Sequence, residues 1–309
     1  VHPYGKFVLW LIFLLAPPLI GFSLWAYSIK PARAMGYGWR AAQHFASNHQ
    51  QFEETWQRSF SLRNPYTPDL WLEFSSFILE TEPSRRRVGI SLVDFRSSLD
   101  LALRTFDEIE KDFSLETRYF YQAGRIGNLL GSLGQPRYDF VEQNLRKALE
   151  LSPKRPDIYY ELAEMERQKG NGAEMISWLE KALAINDKIP QTHFNLAIAY
   201  AASGRFGESI GELDKAEALG YVAWQGKLNE VNFFIDAYIK SGRRNEKLVE
   251  LYKISIQINP TDLQLYASLA TLLRDLGRFE EAAQMARKMV EIDPLLKSDV
   301  ENFLKTLER

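Results

Sequence analysis

The sequence contains no cysteine and only four histidines. Without cysteine the chain has no disulfide, no thiolate metal site and no thiol nucleophile. His44 and His49 are five residues apart, whereas a metal-binding pair on one helical face needs a spacing of three or four. For His193 we expect a partly buried, hydrogen-bonded side chain rather than a metal ligand. The residue types therefore predict no metal site and no cofactor.

An excess of charge of one sign is also missing. The 38 lysines and arginines nearly balance 40 aspartates and glutamates, and the net charge is −2. This balance gives no reason to expect a nucleic-acid partner. The carboxylates stand singly or in runs such as Glu280-Glu281, which is typical of solvated helix faces, and no pair is isolated in apolar surroundings for acid–base work. We therefore expect no enzyme activity from this chain.

One pattern occurs four times between Asp157 and Met289. Each copy has an apolar pair in its first half, Leu-Ala in three copies and Phe234-Ile235 in the looser third copy, followed by a glycine. The glycines are Gly170, Gly204, Gly242 and Gly277, at intervals of 34, 38 and 35 residues. A small residue lets a helix approach its partner, and glycine ends a helix in a left-handed cap. Asn-Pro at 259–260 and Asp-Pro at 293–294 stop the second helix of a pair.

This pattern resembles the tetratricopeptide repeat. The resemblance implies an all-α protein in which helix pairs stack into a right-handed α-solenoid. We expect the clear repeats over residues 154–294, degenerate helical repeats over residues 30–153 and a capping helix over residues 295–309. Seven helix pairs would then precede the cap. No segment of the sequence predicts a strand.

Two further features of the degenerate region have alternative interpretations. Gly124, Gly127 and Gly131 predict a close helix crossing, with a C-cap at Gly134, rather than a phosphate-binding loop, because no strand precedes them and no Gly-Lys-Ser/Thr follows. The run Arg85-Arg86-Arg87 is interpreted as a solvated loop, with contact to a lipid headgroup or a phosphate as the alternative.

The resemblance also implies where a partner binds. In tetratricopeptide proteins a protein or peptide ligand usually lies along the concave face, which is lined by the first helix of each pair. Carried over by position, the groove residues here are Asp157, Tyr160, Glu164, Arg167, Phe194, Asn195, Ile198, Asn229, Asn232, Asp236, Lys240 and Arg274. The family's two-carboxylate clamp needs lysine and asparagine where this chain has Tyr160 and Glu164, so we do not expect that mode of binding.

Residues 1–29 predict a transmembrane helix. The stretch Phe7–Tyr27 has no charged residue, and at about 1.5 Å per residue it is as long as a bilayer core is thick. Pro17-Pro18 should kink it, which membrane helices tolerate. The alternatives are a buried core helix and a cleaved signal peptide, although Leu24-Trp25-Ala26 is a poor cleavage site. The first residue is Val1 rather than methionine, which favours a piece of a longer protein.

A looser resemblance concerns residues 4–80. A last span, then Ile29-Lys30-Pro31, then Phe52-Glu53-Glu54 and Asn64-Pro65 is similar to the tail of bacterial O-antigen ligase-like or polymerase-like membrane proteins. This similarity implies a membrane-tethered scaffold for protein–protein interaction in envelope polysaccharide assembly. One alternative is the non-catalytic tail of such a glycan enzyme that touches its substrate directly. Another is a single-pass assembly factor with no link to glycans.

The side of the membrane is predicted in two opposite ways. Lys6 precedes the span, whereas Lys30, Arg33 and Arg40 follow it, and this excess of positive charge favours repeats in the cytoplasm. The resemblance to envelope enzymes favours repeats outside a bacterial inner membrane. We expect the outer face, because spans that precede this chain would override a rule applied to one helix.

Overall fold

The structure, a computed structural model, describes residues 21–112, 115–221 and 228–307. Regular structure in these ranges is helical, which confirms the all-α prediction. A π-helical turn over Trp25–Ile29 leads into fifteen α-helices. They are α1 Lys30–His44, α2 His49–Ser61, α3 Thr67–Thr81, α4 Leu92–Asp112, α5 Thr117–Ser132, α6 Tyr138–Leu151, α7 Pro156–Lys169, α8 Gly172–Ile185, α9 Pro190–Ala202, α10 Phe206–Ala218, α11 Leu228–Lys240, α12 Glu246–Ile258, α13 Leu263–Asp275, α14 Phe279–Ile292 and α15 Lys297–Lys305.

The repeat glycines end helices as predicted. Gly170, Gly204, Gly242 and Gly277 all have φ between 73° and 79°, the left-handed region that favours glycine. At Gly204 the N–H of the next residue, Arg205, bonds back to the carbonyl of Tyr200 at 2.8 Å, which is the hydrogen bond of a Schellman cap. The periodic glycines therefore place the turns of the repeats.

The helices form two compact units, one ending at Lys169 and the other beginning at Gly170. In the first unit, which holds α1–α7, the odd-numbered helices contact one another in sequence and the even-numbered helices α2 and α4 contact each other behind them. Its core is aromatic: the fully buried Trp56 and Trp71 donate their indole N–H groups at 2.8 Å to the Thr105 hydroxyl and the Ala102 carbonyl, respectively. These bonds satisfy the polar edges that make tryptophan difficult to bury.

Glycines bring α5 close to α6, as the sequence predicts. A Cβ atom built on Gly124 would lie 2.4 Å from Leu145 Cδ2, and one on Gly127 would lie 2.5 Å from Val141 Cγ2. Only hydrogen fits in these gaps. Gly134 ends the turn after α5 with φ +88°, which confirms the predicted C-cap.

The second unit, α8–α15, has a core of smaller residues. Ala197 on α9, Ala216 on α10 and Ala282 on α14 are fully buried among leucines, isoleucines and aromatic rings. The hydroxyl of Ser209 on α10 donates to the Ala197 carbonyl at 2.7 Å, which shows how closely these two helices lie. On α15, Phe303 packs against the same cluster and covers its last helices.

Most of the predicted transmembrane segment lies outside the described residues, because the description begins at residue 21. Residues 21–24 are α-helical, and the helix continues through the π-helical turn Trp25–Ile29 into α1. Among the helices described, none combines the length and the apolar character needed to cross a bilayer. The span over Phe7–Tyr27 therefore stays a prediction.

Candidate functional site

In the first unit, polar side chains connect α3, α5 and α7, the helices that stand first in their pairs. The amide of Gln122 on α5, itself 4% exposed, donates to the Ser76 hydroxyl of α3 at 2.9 Å. Its carbonyl oxygen accepts from Arg125 at 3.2 Å. The guanidinium of Arg125 then lies 3.6 Å from a carboxylate oxygen of Glu161 on α7. These contacts cross three helices and fix their spacing.

Glu161 is the least solvated acid of this group. The Asn128 amide donates to both its carboxylate and its backbone carbonyl, at 2.8 Å each. Burial raises the pKa of the Glu161 carboxyl above its usual value, although the bond from Asn128 and the charge of Arg125 act in the opposite direction. Burial therefore costs the Glu161 carboxylate part of its hydration, while its contacts with Asn128 and Arg125 hold it in place.

One turn further along α7, a second acid is held by two neighbours. Arg167 makes a bidentate pair with Glu164, with N–O distances of 2.6 and 2.7 Å. The amide of Gln168 donates to the same carboxylate at 2.8 Å and to the Asn128 carbonyl at 2.9 Å. The predicted groove residues Glu164 and Arg167 thus lie together on this surface, each with its charge paired.

The surface carries a shallow depression of about 270 Å³. It is lined by the end of α3 with the following turn, by one face of α5 and by Glu161 and Glu164. Of the other two residues predicted here, Asp157 forms an ion pair with Arg155, whose guanidinium lies 5.1 Å from the centre of the Tyr121 ring. Tyr160 is half-buried. Leu79, Pro83 and Leu129 add apolar lining to this depression, but the charged groups that α5 and α7 contribute to it are already in ion pairs.

In the second unit, one of the three predictions on α9 is wrong. Phe194 is only 2% exposed, and its ring lies 4.4 Å from the ring of Tyr221 and 5.6 Å from that of Phe234. It belongs to the core, because it shares a buried stripe with Ala197. Asn195, one residue on, is half-buried and accepts a bond from Gln191 at 2.7 Å, while Ile198 packs partly against the core.

The predictions on α11 have different outcomes. Asp236 and Lys240 form an i,i+4 ion pair at 2.6 Å, with both side chains about half exposed. Asn232 is exposed and accepts a 2.9 Å bond from Ser255, a fully buried residue of α12. The side chain of Asn229 lies outside the described residues. Asn232, Asp236 and Lys240 are exposed at intervals of four residues, so they form one polar stripe on the surface of α11.

A pocket of about 260 Å³ lies between α11, α12 and α13. Its floor contains the buried side chains of Leu248 and Tyr252 from α12 and Leu272 from α13, and Ile239 of α11 adds an aliphatic wall that is 49% exposed. Burial raises the pKa of the Tyr252 phenol, while its hydrogen bond with Ser268 lowers that pKa. The phenol therefore stays neutral under ordinary conditions.

The rim of this pocket is polar. Gln264, Ser268 and Thr271 project from successive turns of α13, and the amide of Gln264 reaches the Ser268 hydroxyl at 3.3 Å. At the mouth, Arg244 pairs with Asp275 and keeps 61% of its side chain exposed. Arg274, the last of the predicted groove residues, shares the Asp275 carboxylate and lies 5.8 Å from the Phe303 ring, outside the pocket lining. An apolar floor inside a hydrogen-bonding rim suits one side chain of a bound peptide.

Sequence reasoning missed the floor of this pocket. The positions carried over came from first helices only, whereas Leu248 and Tyr252 belong to a second helix that reaches the groove from below. Ile239 was missed because it resembles a core residue of an amphipathic helix. The only indication in the sequence that Ile239 lines the groove is its position next to Lys240, a predicted groove residue.

The histidine expected to be structural has that role. His193 is 5% exposed, and its two ring nitrogens lie 2.6 Å from a carboxylate oxygen of Glu212 and 2.8 Å from the Asp187 carbonyl. Within residues 21–112, 115–221 and 228–307, no three histidine, aspartate or glutamate side chains are arranged to hold a metal ion.

Comparison with known protein families finds three matching segments. Residues 156–189, 190–209 and 263–292 each match a model of the tetratricopeptide repeat. These segments fall in the first, second and fourth copies of the sequence pattern, and the looser third copy is not among them. The chain therefore carries tetratricopeptide repeats. A comparison with curated protein sequences gives no match.

Solved structures of similar fold cover most of the chain. The C-terminal part of a TPR repeat-containing protein from Cytophaga hutchinsonii is 15% identical, covers 85% of this chain and 98% of its own, and superposes with a TM-score of 0.55. A tetratricopeptide repeat protein from Parabacteroides merdae is 14% identical, covers 91% of this chain and 100% of its own, and gives a TM-score of 0.53. At such identities these similarities show the fold alone. The α-solenoid class predicted from the repeats is thus confirmed.

Proposed function

We propose that this chain is a non-catalytic scaffold that binds a peptide segment of another protein in the groove of its second unit. The observation that carries this proposal is the pocket between α11, α12 and α13, with Tyr252 in its floor and Ser268 on its rim. Grooves that bind peptides commonly gain specificity by holding individual side chains in pockets. The paired charges on α7 make the first unit the weaker candidate, because a ligand would have to replace bonds already formed.

The size and lining of the pocket define the ligand. A volume of about 260 Å³ is below the range of roughly 300–1,000 Å³ that holds a whole drug-sized molecule. It is sufficient for one aliphatic or aromatic side chain. The hydroxyls and amide of the rim then bond to the peptide backbone on either side. We infer a short segment with one large apolar residue and polar neighbours.

A peptide-display selection tests this proposal. A random 12-residue peptide library is selected on the full chain, and the resulting peptides are measured against Ser268→Trp, which fills the pocket from its rim. Gln257→Trp is the matched control, because Gln257 is exposed on α12 and does not line the pocket. We expect selected peptides to share an apolar residue and to lose binding to Ser268→Trp only. Equal binding to both variants would exclude this pocket.

We further propose that Phe7–Tyr27 anchors the scaffold in a bacterial inner membrane, with the repeats on the outer face and a role in envelope polysaccharide assembly. The support is the uncharged length of the segment and its resemblance to the tails of O-antigen ligase-like proteins. Membranes washed with alkaline carbonate should retain the full chain. Arg86→Cys, at an exposed position, should react with an impermeant maleimide in intact cells. Reaction only after lysis would place the repeats in the cytoplasm and remove the support for an envelope role.

A further inference from the structure

The pocket of the second unit has a positively charged end. Arg244, from the turn before α12, and Arg274, in the last turn of α13, both bind the carboxylate of Asp275. Each guanidinium uses a different carboxylate oxygen, and the one from Arg274 lies at 3.0 Å. Two positive charges therefore share one negative charge, so one positive charge at this end has no counterpart.

The other acids at this end are paired with other cations. Glu246, the first residue of α12, and Glu281 of α14 both pair with Arg278, and Lys253 lies 3.6 Å from Glu281. These two acids and two bases balance one another. Arg243 is exposed, and in the described part of the chain no carboxylate forms an ion pair with it. The neighbouring groups therefore do not cancel the surplus of positive charge beside the pocket.

Arg244 is placed to bind a ligand without leaving another charge unpaired. Its side chain lines the pocket and is 61% exposed. When an incoming carboxylate bonds to Arg244, Asp275 keeps its bonds from Arg274. The pair on α7 differs, because a ligand that took Arg167 would remove from Glu164 the guanidinium that pairs with it. Exchange of partners at Arg244 therefore costs less than exchange in the first unit.

The charge of Arg244 lies close to the apolar floor. Burial raises the pKa of the Tyr252 phenol, and the positive charge of Arg244 is among the groups that lower this pKa. Leu248 and Tyr252, the floor residues of α12, are one turn apart, or about 6 Å along the helix. An extended peptide advances about 3.3 Å per residue. A side chain about one to three residues from the one held in the pocket therefore reaches Arg244.

We propose that the peptide bound in this pocket carries an aspartate or glutamate one to three residues from its apolar residue, and that Arg244 binds this carboxylate. The planar guanidinium suits a carboxylate, which it can hold with two parallel hydrogen bonds. A basic residue at the same place would meet a like charge. The inference rests on the peptide site proposed above and adds the charge that the peptide carries.

A pair of variants tests the role of Arg244 in the full chain. Arg244→Gln removes the charge at the pocket, and Arg243→Gln removes the same charge from the neighbouring exposed residue, which does not line the pocket. The probes are peptides selected from the 12-residue library, made with an amidated C-terminus so that only side chains supply carboxylates. Each peptide is compared with a version in which its acidic residue is replaced by the corresponding amide.

We expect the selected peptides to share an acidic residue within three positions of the apolar one. Replacing it by the amide should lower the affinity for the parent chain about three- to fivefold at low salt, as for a partly exposed ion pair, and less at high salt. Arg244→Gln should lower the affinity for the acidic peptide by a similar factor. The amide peptide should bind the parent and Arg244→Gln equally, which also shows that the variant is folded. Arg243→Gln should bind the acidic peptide as the parent does.

The outcomes separate this inference from the peptide site itself. If the selected peptides lose binding to Ser268→Trp but share no acidic residue, or bind Arg244→Gln as tightly as the parent, the inference is wrong and the pocket remains. Equal losses for Arg243→Gln and Arg244→Gln would show a diffuse attraction, which also overturns the role of Arg244. If no selected peptide depends on the pocket, both proposals fail.

Discussion

Leu145 of α6 occupies the space that a side chain on Gly124 of α5 would need. A Cβ atom on Gly124 would lie 2.4 Å from Leu145 Cδ2 and 2.6 Å from its Cγ, and Leu145 is fully buried. The leucine therefore cannot turn away without disturbing the core. This contact shows why a helix of the first unit contains glycines that would otherwise weaken it.

The first prediction concerns this crossing. Gly124→Ala should destabilise the protein by about 1–3 kcal/mol, because the added methyl overpacks the contact with Leu145. Gly211→Ala is the matched control: Gly211 lies inside α10 with nothing within 4 Å of the new Cβ. There the same change should stabilise by about 0.5–1 kcal/mol through helix propensity. Thermal unfolding followed by circular dichroism measures both. Shifts of the same sign would contradict this packing.

The second prediction concerns the alanine of the second repeat. Ala197 is fully buried, and its carbonyl accepts a bond from Ser209 on α10 at 2.7 Å. Ala197→Leu should therefore cost about 1–3 kcal/mol by forcing α9 and α10 apart. Ala202→Leu, at the exposed end of the same helix, should change the midpoint little. An unchanged midpoint for Ala197→Leu would mean that the repeat register is wrong.

The third prediction uses the pH dependence of stability. Burial raises the pKa of Glu161 above its ordinary 4.5, so the folded state holds this proton more tightly than the unfolded state does. The contribution of Glu161 to the free energy of unfolding is therefore present at low pH. It is lost as the pH rises through the pKa that Glu161 has in the folded protein. Because glutamine is neutral at every pH, Glu161→Gln avoids the cost of burying a charge. This variant should therefore have a higher thermal unfolding midpoint at neutral pH.

The comparison across pH tests the cause. The gain from Glu161→Gln should shrink as the pH is lowered towards 4.5, where the native carboxyl becomes neutral as well. Glu150→Gln, at an exposed position of α6, serves as the control for loss of charge and should give no such trend. A destabilised Glu161→Gln at every pH would show that the bonds from Asn128 and Arg125 outweigh the cost of burial.

The features that could be predicted from sequence are those set by the local backbone. The glycine after each first helix must adopt positive φ, and this requirement is visible at Gly204 or Gly277 without any knowledge of the tertiary fold. The close approach at Gly124 could be predicted for a similar reason, since several glycines inside one helix need a packing cause. Helix identity and turn positions follow from such signals.

The groove could be predicted only in part. Adjacent residues on a helix point about 100° apart, so a register carried over from a family places Phe194 and Asn195 on the same surface, although Phe194 is buried and Asn195 is half-buried. Tyr252 enters the groove because α12 packs under α11 and α13, and no local pattern encodes that contact. The spacing of three residues between Glu164 and Arg167 allows an ion pair on one helical face, but whether the pair forms depends on rotamers.

A double-mutant cycle between the pocket and its ligand tests the proposed peptide site most directly. A peptide selected on the full chain is titrated by fluorescence anisotropy, with and without its apolar residue replaced by alanine, against the parent chain and Ser268→Trp. Burial of one such side chain is worth roughly 1.5–3 kcal/mol, or about 10- to 150-fold in affinity. We predict that the alanine replacement in the peptide and Ser268→Trp in the protein each reduce the affinity by about this factor. The two changes together should reduce it little further. Additive losses, or full binding of the alanine peptide, would contradict the proposed site.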